Sequence, residues 1–205
     1  DTYYTISQNI TAYKTLGFFA RVNYDYRGKY LVEVSMRADG TSRFAAGSRW
    51  GYFPSASAGW RFSKENFLKN ASGWLSDGKL RFSYGALGNQ QVSDYLYLQT
   101  ITSKELPYLF DSNGKPKYSK VSDPMSSGLT WETVKTYNVG LDLSFLENRL
   151  NFTGDYFVRQ TKNMLTTSLT LPSVYGAATP TENCADLRTN GWELSLSWKD
   201  SFKLA

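Results

Sequence analysis

The chain has no histidine and one cysteine, Cys184, in 205 residues. Without histidine it lacks the commonest general base and the commonest metal ligand, and a Ser–His–Asp triad cannot be assembled. A lone cysteine makes neither an internal disulfide nor a thiolate cluster, so Cys184 reads as an incidental loop residue. Neither a metal site nor a cofactor is expected, and an enzyme is the least supported class. No run of about 18 apolar residues occurs, which excludes a membrane-spanning helix. Mean hydropathy is only −0.44, yet a membrane β-barrel turns just alternate residues to lipid and keeps a low average. The net charge of +5 is not gathered into any dense Lys/Arg run, so a nucleic-acid partner is not expected. A 3.6-residue apolar period is nearly absent as well. The one helix candidate is Lys64–Leu75, KENFLKNASGWL.

Aromatic residues are abundant instead: 15 Tyr, 12 Phe and 6 Trp make up 16% of the chain. They fall within a period of two. In Leu16–Tyr26, Phe18, Ala20, Val22, Tyr24 and Tyr26 share one face, with Arg21, Asn23 and Asp25 on the other. The same alternation recurs in Tyr30–Asp39, Trp50–Phe62, Lys79–Gly88, Asn138–Phe145, Leu150–Gln160 and Gly191–Lys199. It predicts about seven antiparallel strands, each with an apolar and a polar side.

The connections alternate in length. Arg27–Lys29 and Leu146–Arg149 are tight, and Ser63–Gly78 is moderate. Gly40–Arg49, Asn89–Thr130 and Thr161–Asn190 are long. In an up-and-down sheet this puts every long loop at one end, the asymmetry of outer-membrane barrels. Tyr24, Tyr26, Tyr30, Trp60, Phe62, Phe145, Phe152 and Trp198 gather near the short turns, where aromatic rings suit a membrane–water boundary. The polar face carries Arg37, Asp39, Arg81, Asp142 and Asp155 among other charges, which a sandwich core would not accept unpaired. The apolar face is therefore expected to meet lipid and the charged face a wet lumen. The competing reading is a secreted soluble β-sandwich, a carbohydrate-binding module, for which about seven strands are also suitable. Asp142 and Asp155 on adjacent strands could be imagined as a carboxylate pair for glycoside hydrolysis, but lumen lining accounts for them more simply. Asp39-Gly40-Thr41-Ser42-Arg43-Phe44 invites a calcium or phosphate reading, but a turn at a strand exit, with Asp39 and Arg43 paired or facing water, accounts for it more simply.

Longer words are familiar. YDYRGKYLVEVSMRADGTSRFAAGSRWGYFPSASAGWRF (Tyr24–Phe62), LRFSYGALGNQ (Leu80–Gln90), LTWETVKTYNVGLDLSFLENRLNFTGDYFVRQTKNML (Leu129–Leu165) and LPSVYGAATPTENCADLRTNGWELSLSW (Leu171–Trp198) follow one another in order. Together they resemble the barrel of SusC/RagA-type TonB-dependent outer-membrane transporters. The resemblance implies an all-β, antiparallel up-and-down transmembrane β-barrel of about 22 strands. This chain would then supply a partial wall: about seven strands at a spacing of ~4.8 Å give ~34 Å. The opening DTYYTISQNI and the closing SLSWKDSFKLA read as cut from something longer. Residues 1–205 would be barrel only, with the plug domain and the N-terminal segment that contacts TonB lying elsewhere. With two unpaired edges the fragment is not expected to transport alone. The implied setting is the outer membrane of a Gram-negative, Bacteroidetes-type cell, with its lipid bilayer and lipopolysaccharide. The implied partners are a SusD-like surface lipoprotein and TonB, and the implied cargo is an oligosaccharide or a peptide. Cargo contacts would come from loop aromatics, for which Tyr95, Tyr97, Tyr108, Trp131 and Tyr175 are the candidates.

Overall fold

A computed structural model describes residues 8, 10–71, 73–94, 96–106, 116–122, 126, 128–167, 170, 172–176 and 178–200. Nine strands are formed: β1 (Thr15–Tyr26), β2 (Tyr30–Thr41), β3 (Trp50–Trp60), β4 (Leu75–Asn89), β5 (Ile101–Glu105), β6 (Lys117–Val121), β7 (Glu132–Phe145), β8 (Leu150–Thr167) and β9 (Thr181–Trp198). Seven of them make one antiparallel sheet in the order β1-β2-β3-β4-β7-β8-β9, while β5 and β6 pair apart as a hairpin. The seven predicted wall strands are therefore present, in a single sheet. The β-sandwich reading fails, because among the described residues no second layer covers the apolar face.

Register keeps the two faces continuous from strand to strand. Val22 faces Val34, Val34 faces Ala56, Ala56 faces Tyr84, Tyr84 faces Tyr137 and Tyr137 faces Val158. A shift of one residue in any pair would turn apolar groups to the polar side. Large apolar groups stand open along this face, including Val22 (69% exposed), Val34 (52%) and Leu194 (62%). Aromatic pairs border it in two rows. Tyr26–Tyr30, Trp60–Phe62 and Trp74–Phe145 lie at the short-turn end. Phe18–Trp50 and Tyr84–Tyr137 lie further up the strands. Trp60 and Tyr52 are eight residues apart on β3, roughly 26 Å along the strand and ~20 Å along the axis of a barrel tilted ~40°. That is close to the depth of the apolar band of an outer-membrane barrel.

Local chemistry sets the tight turns. Arg27 and Gly28 both take positive φ (55° and 62°), as the two central residues of a type I′ hairpin turn do. Asp25 Oδ1 accepts the Gly28 N–H at 2.7 Å. The β7–β8 turn strings three left-handed residues together without glycine, Leu146, Glu147 and Asn148, a costly backbone. Its neighbour braces it: Leu146 N–H donates to Trp74 O at 3.1 Å and Asn148 N–H to Ser76 Oγ at 3.2 Å.

Several sequence expectations need correction. Lys64–Leu75 is not an α-helix: two short 3₁₀ segments, Phe62–Lys64 and Asn66–Ala71, lie here, and β4 starts at Leu75 after a turn; nothing there supplies a long apolar stripe to dock. The loop Asn89–Thr130 contains the β5–β6 hairpin. The Thr161–Asn190 loop is much shorter than expected, because β8 runs on to Thr167 and β9 begins at Thr181. At 18 residues each, these strands exceed the ~10 needed to cross a bilayer. Toward their far ends the ladder is irregular and Leu165 packs on the buried cluster of the long-loop end, so the alternation is lost there. Asn163, at φ 58°, marks an irregularity in the β8–β9 ladder.

Candidate functional site

The polar face is organised by one arginine. Register aligns Arg81 of β4 with Gly140 of β7 and Asp155 of β8. Arg81 Nε and Nη2 donate to Asp142 at 2.6 and 3.0 Å, and Nη2 also reaches Asp155 Oδ2 at 3.0 Å. Asn138 Nδ2 donates to Asp155 Oδ1 at 2.9 Å. Gly140 makes the reach possible. A Cβ there would strike Asp155 Oδ1 and stand 2.7 Å from the guanidinium carbon. The guanidinium thus lies across a bare stretch of β7 and joins three strands. The two aspartates that might have suggested hydrolysis are both committed to this arginine.

A depression of about 450 Å³ opens on the same face toward the long-loop end. Phe19, Arg21, Arg37, Asp39, Gln90 and Trp131 are among its lining residues. Arg37 Nε donates to Asp39 Oδ2 at 2.6 Å, so this pair is internally neutral. Phe19 is 86% exposed and offers a bare ring. The depression exists because the β3–β4 ladder stops at Ser55 and Gly85. Above that point Phe53 turns into the gap and, with Phe44, Ala86, Leu129 and Trp131, forms the one buried cluster of the described residues. Phe44 and Phe53 each pack on Trp131 with ring centroids 5.4 Å apart. Two polar atoms in this lining are buried without a protein partner, a donor (Trp131 Nε1) and an acceptor (Gln90 Oε1). Groups left this way are costly unless something else satisfies them.

The structure sorts the predicted residues as follows. Arg37, Asp39 and Trp131 come together in the depression, and Arg81, Asp142 and Asp155 form the network below it. Trp131 is 5% exposed, so it is a wall residue with one edge on the depression, not a freely presented loop ring. Tyr97 is half-buried. Tyr95 and Tyr108 lie outside the described residues, as does the side chain of Tyr175. Sequence reasoning missed Phe19 and Gln90. Phe19 sits at a polar-face position of β1, opposite Arg37, and that parity break was the available signal. It also missed Asn183 of β9, whose amide ties β8 to the segment just before β7. Asn183 Oδ1 accepts Thr130 N–H at 2.9 Å, and Nδ2 donates to Thr130 O at 3.0 Å and Asn163 O at 2.7 Å. Among the described residues no group of three or more His, Cys, Asp or Glu could hold a metal ion.

At the opposite, short-turn end, Glu65 closes a clasp. It accepts from Lys29 Nζ at 3.0 Å, Tyr30 Oη at 2.8 Å and Trp60 Nε1 at 3.4 Å. The Lys29 hydrogen bond, then that of Tyr30, holds the Glu65 carboxyl below the usual glutamate range.

A single sheet with an open apolar face, a charged opposite face and all short turns at one end defines a segment of transmembrane β-barrel wall. The chain belongs to the TonB dependent receptor-like β-barrel family, whose model matches residues 1–205. It is similar to the TonB-dependent receptor SusC of Bacteroides thetaiotaomicron, with 36% identity over 198 residues, covering 92% of this chain and 19% of that protein. It is 34% identical over 197 residues to the TonB-dependent receptor P39 of Formosa agariphila, covering 95% of the chain and 18% of that protein. Among solved structures, the RagAB peptide importer in its closed-closed state superposes with a TM-score of 0.79 at 27% identity, over 93% of this chain and 20% of that one. The chain thus spans about a fifth of the length of these relatives.

Proposed function

We propose that the chain forms part of the barrel wall of an outer-membrane, TonB-coupled nutrient importer. The intact receptor would hold a plug domain in its lumen, contact TonB from its N-terminal region and work with a SusD-like surface lipoprotein. Its cargo is an oligosaccharide or a peptide. The observation that carries this reading is the segregation of an open apolar face from a largely charged face across seven strands, in a chain of this family. In that frame the depression beside Trp131 is a cargo contact. The exposed Phe19 ring stacks on an apolar sugar or side-chain face. Arg37 and Asp39 in the same lining supply a donor and an acceptor to a hydroxyl or an amide.

The test uses the full-length receptor. Deleting its gene is expected to abolish growth on one class of glycan or peptide while sparing the corresponding monomers. Phe19→Ala and Arg37→Ala, in receptors present at wild-type levels in the outer membrane, are expected to lower uptake of that class severalfold. Unaltered growth of the deletion strain on every glycan and peptide tried would overturn the importer reading. Normal uptake by both variants would overturn the placement of the contact.

A further inference from the structure

At the short-turn rim two cations, Arg27 and Lys64, form no salt bridge among the described residues. Arg27 lies with its guanidinium carbon 5.1 Å from the centre of the Tyr26 ring. Lys64 Nζ lies 2.9 Å from where a Cβ on Gly28 would stand, so the missing side chain of Gly28 leaves room for the ammonium against the turn. Both charges therefore sit on one two-residue tip. Of the two carboxylates nearby, Glu65 is taken by Lys29, Tyr30 and Trp60, and Asp25, on the polar side of β1, accepts the Gly28 N–H at 2.7 Å. Two like charges held together at a wet boundary call for an anion between them.

The surroundings say what kind of anion. Tyr26 stacks toward Tyr30 with centroids 6.4 Å apart, and Trp60 packs on Phe62 at 6.0 Å. These rings are the lower border of the apolar face, on which Tyr24, Val32 and Val22 stand exposed. An anion resting on Arg27 and Lys64 thus has open hydrocarbon-binding surface directly beside it. We infer that Arg27 and Lys64, with the Tyr26 ring and the Gly28 turn, form a headgroup site for an anionic phospholipid. Its phosphate lies between the two cations and its acyl chains lie along β1 and β2. Basic groups beside an interfacial aromatic belt attract such headgroups with about fivefold in affinity per cation. The site fixes the depth at which this part of the wall sits in the leaflet that meets the short turns.

The inference rests on the lipid-facing reading of the sheet. Its test is native mass spectrometry of the full-length receptor in detergent, titrated with phosphatidylglycerol, with phosphatidylethanolamine, with purified lipid A and with inorganic phosphate. The wild type is expected to keep phosphatidylglycerol in preference to all three. The Arg27→Gln/Lys64→Gln double variant is expected to lose that preference by tenfold or more. Lys104→Gln/Lys120→Gln removes equal charge from the β5–β6 hairpin at the other end and should leave binding unchanged. Heat-modifiable mobility on gels confirms that each barrel is folded. Equal phosphatidylglycerol retention by wild type and the rim variant would overturn the site, as would equal loss in the hairpin variant or tighter binding of lipid A or free phosphate. A receptor that purifies as a monomer without detergent would instead overturn the lipid-facing reading itself.

Discussion

Replacing Gly140 by alanine should destabilise the wall, and the same replacement should stabilise it once Arg81 is gone. Glycine in a strand is normally a weakness, and alanine there is expected to gain about 0.5–1 kcal/mol. At Gly140 the added methyl would occupy the space through which the Arg81 guanidinium reaches Asp155. Three short N–H···O bonds hold that guanidinium. Charge-assisted bonds contribute about 1.5–3 kcal/mol each when shielded, but Arg81 and Asp142 are about one-third exposed (32% and 36%). Discounting for that exposure leaves roughly 2–3 kcal/mol for the whole arrangement. Gly140→Ala is therefore expected to cost about 1.5–2 kcal/mol in the wild type. In an Arg81→Ala background the slot is empty and the Asp155 carboxylate can swing aside, so the same change should gain about 0.5 kcal/mol. The cycle yields a coupling of about 2–2.5 kcal/mol, well above the few tenths expected of independent sites. Guanidinium unfolding of the four full-length proteins in one detergent, followed by heat-modifiable mobility and tryptophan emission, measures it. The same ΔΔG for Gly140→Ala in both backgrounds would refute the role given to the bare stretch of β7.

Three further outcomes are expected. Val34→Lys on the apolar face should cost about 2–4 kcal/mol and impair membrane assembly. Ser57→Lys, opposite Glu33 on the polar face, should stay within about 0.5 kcal/mol; equal effects would refute the assignment of faces. Glu65 has its carboxyl held low by Lys29 and Tyr30. Its clasp should therefore contribute fully above the usual glutamate range and be lost as pH falls through the depressed value. Trp60 emission in wild type against Glu65→Gln tracks this, and a loss on raising the pH would contradict it. Trp131→Ala should cost about 3–5 kcal/mol by emptying the cluster. Trp131→Phe, which also removes an unsatisfied N–H, should cost much less in the same unfolding assay.

The wall was legible where one strand side is greasy and the other wet, because a period of two is then forced on the sequence. Val139, Leu141 and Leu143 against Gly140, Asp142 and Ser144 gave β7 its face and its partner registers. Legibility stopped where both sides are wet. ITSKE and KYSKV form β5 and β6 with every residue exposed, so no apolar rhythm announces them. The upper parts of β8 and β9 are lost because the ladder shifts register between Thr161 and Leu165, which breaks the period of two. Gly140 was visible as a polar-face residue, but its purpose depends on which arginine lies opposite, and that is a fact of register. Trp131 was read as a loop ring because it stands one residue before a strand. Its burial follows from the parting of β3 and β4, which no local pattern encodes.

Every strand of the wall bonds to its neighbour in the sheet order, and the connection between β4 and β7 carries the paired strands β5 and β6 before the meander resumes. No distant segment has to be threaded between strands already joined. A sheet connected in this manner can be laid down progressively, each new turn delivering the next strand to a waiting edge. The low loop-closure cost of such local pairings favours early formation, so the slow event in assembly is expected to fall on the final seam rather than on any join within residues 15–198.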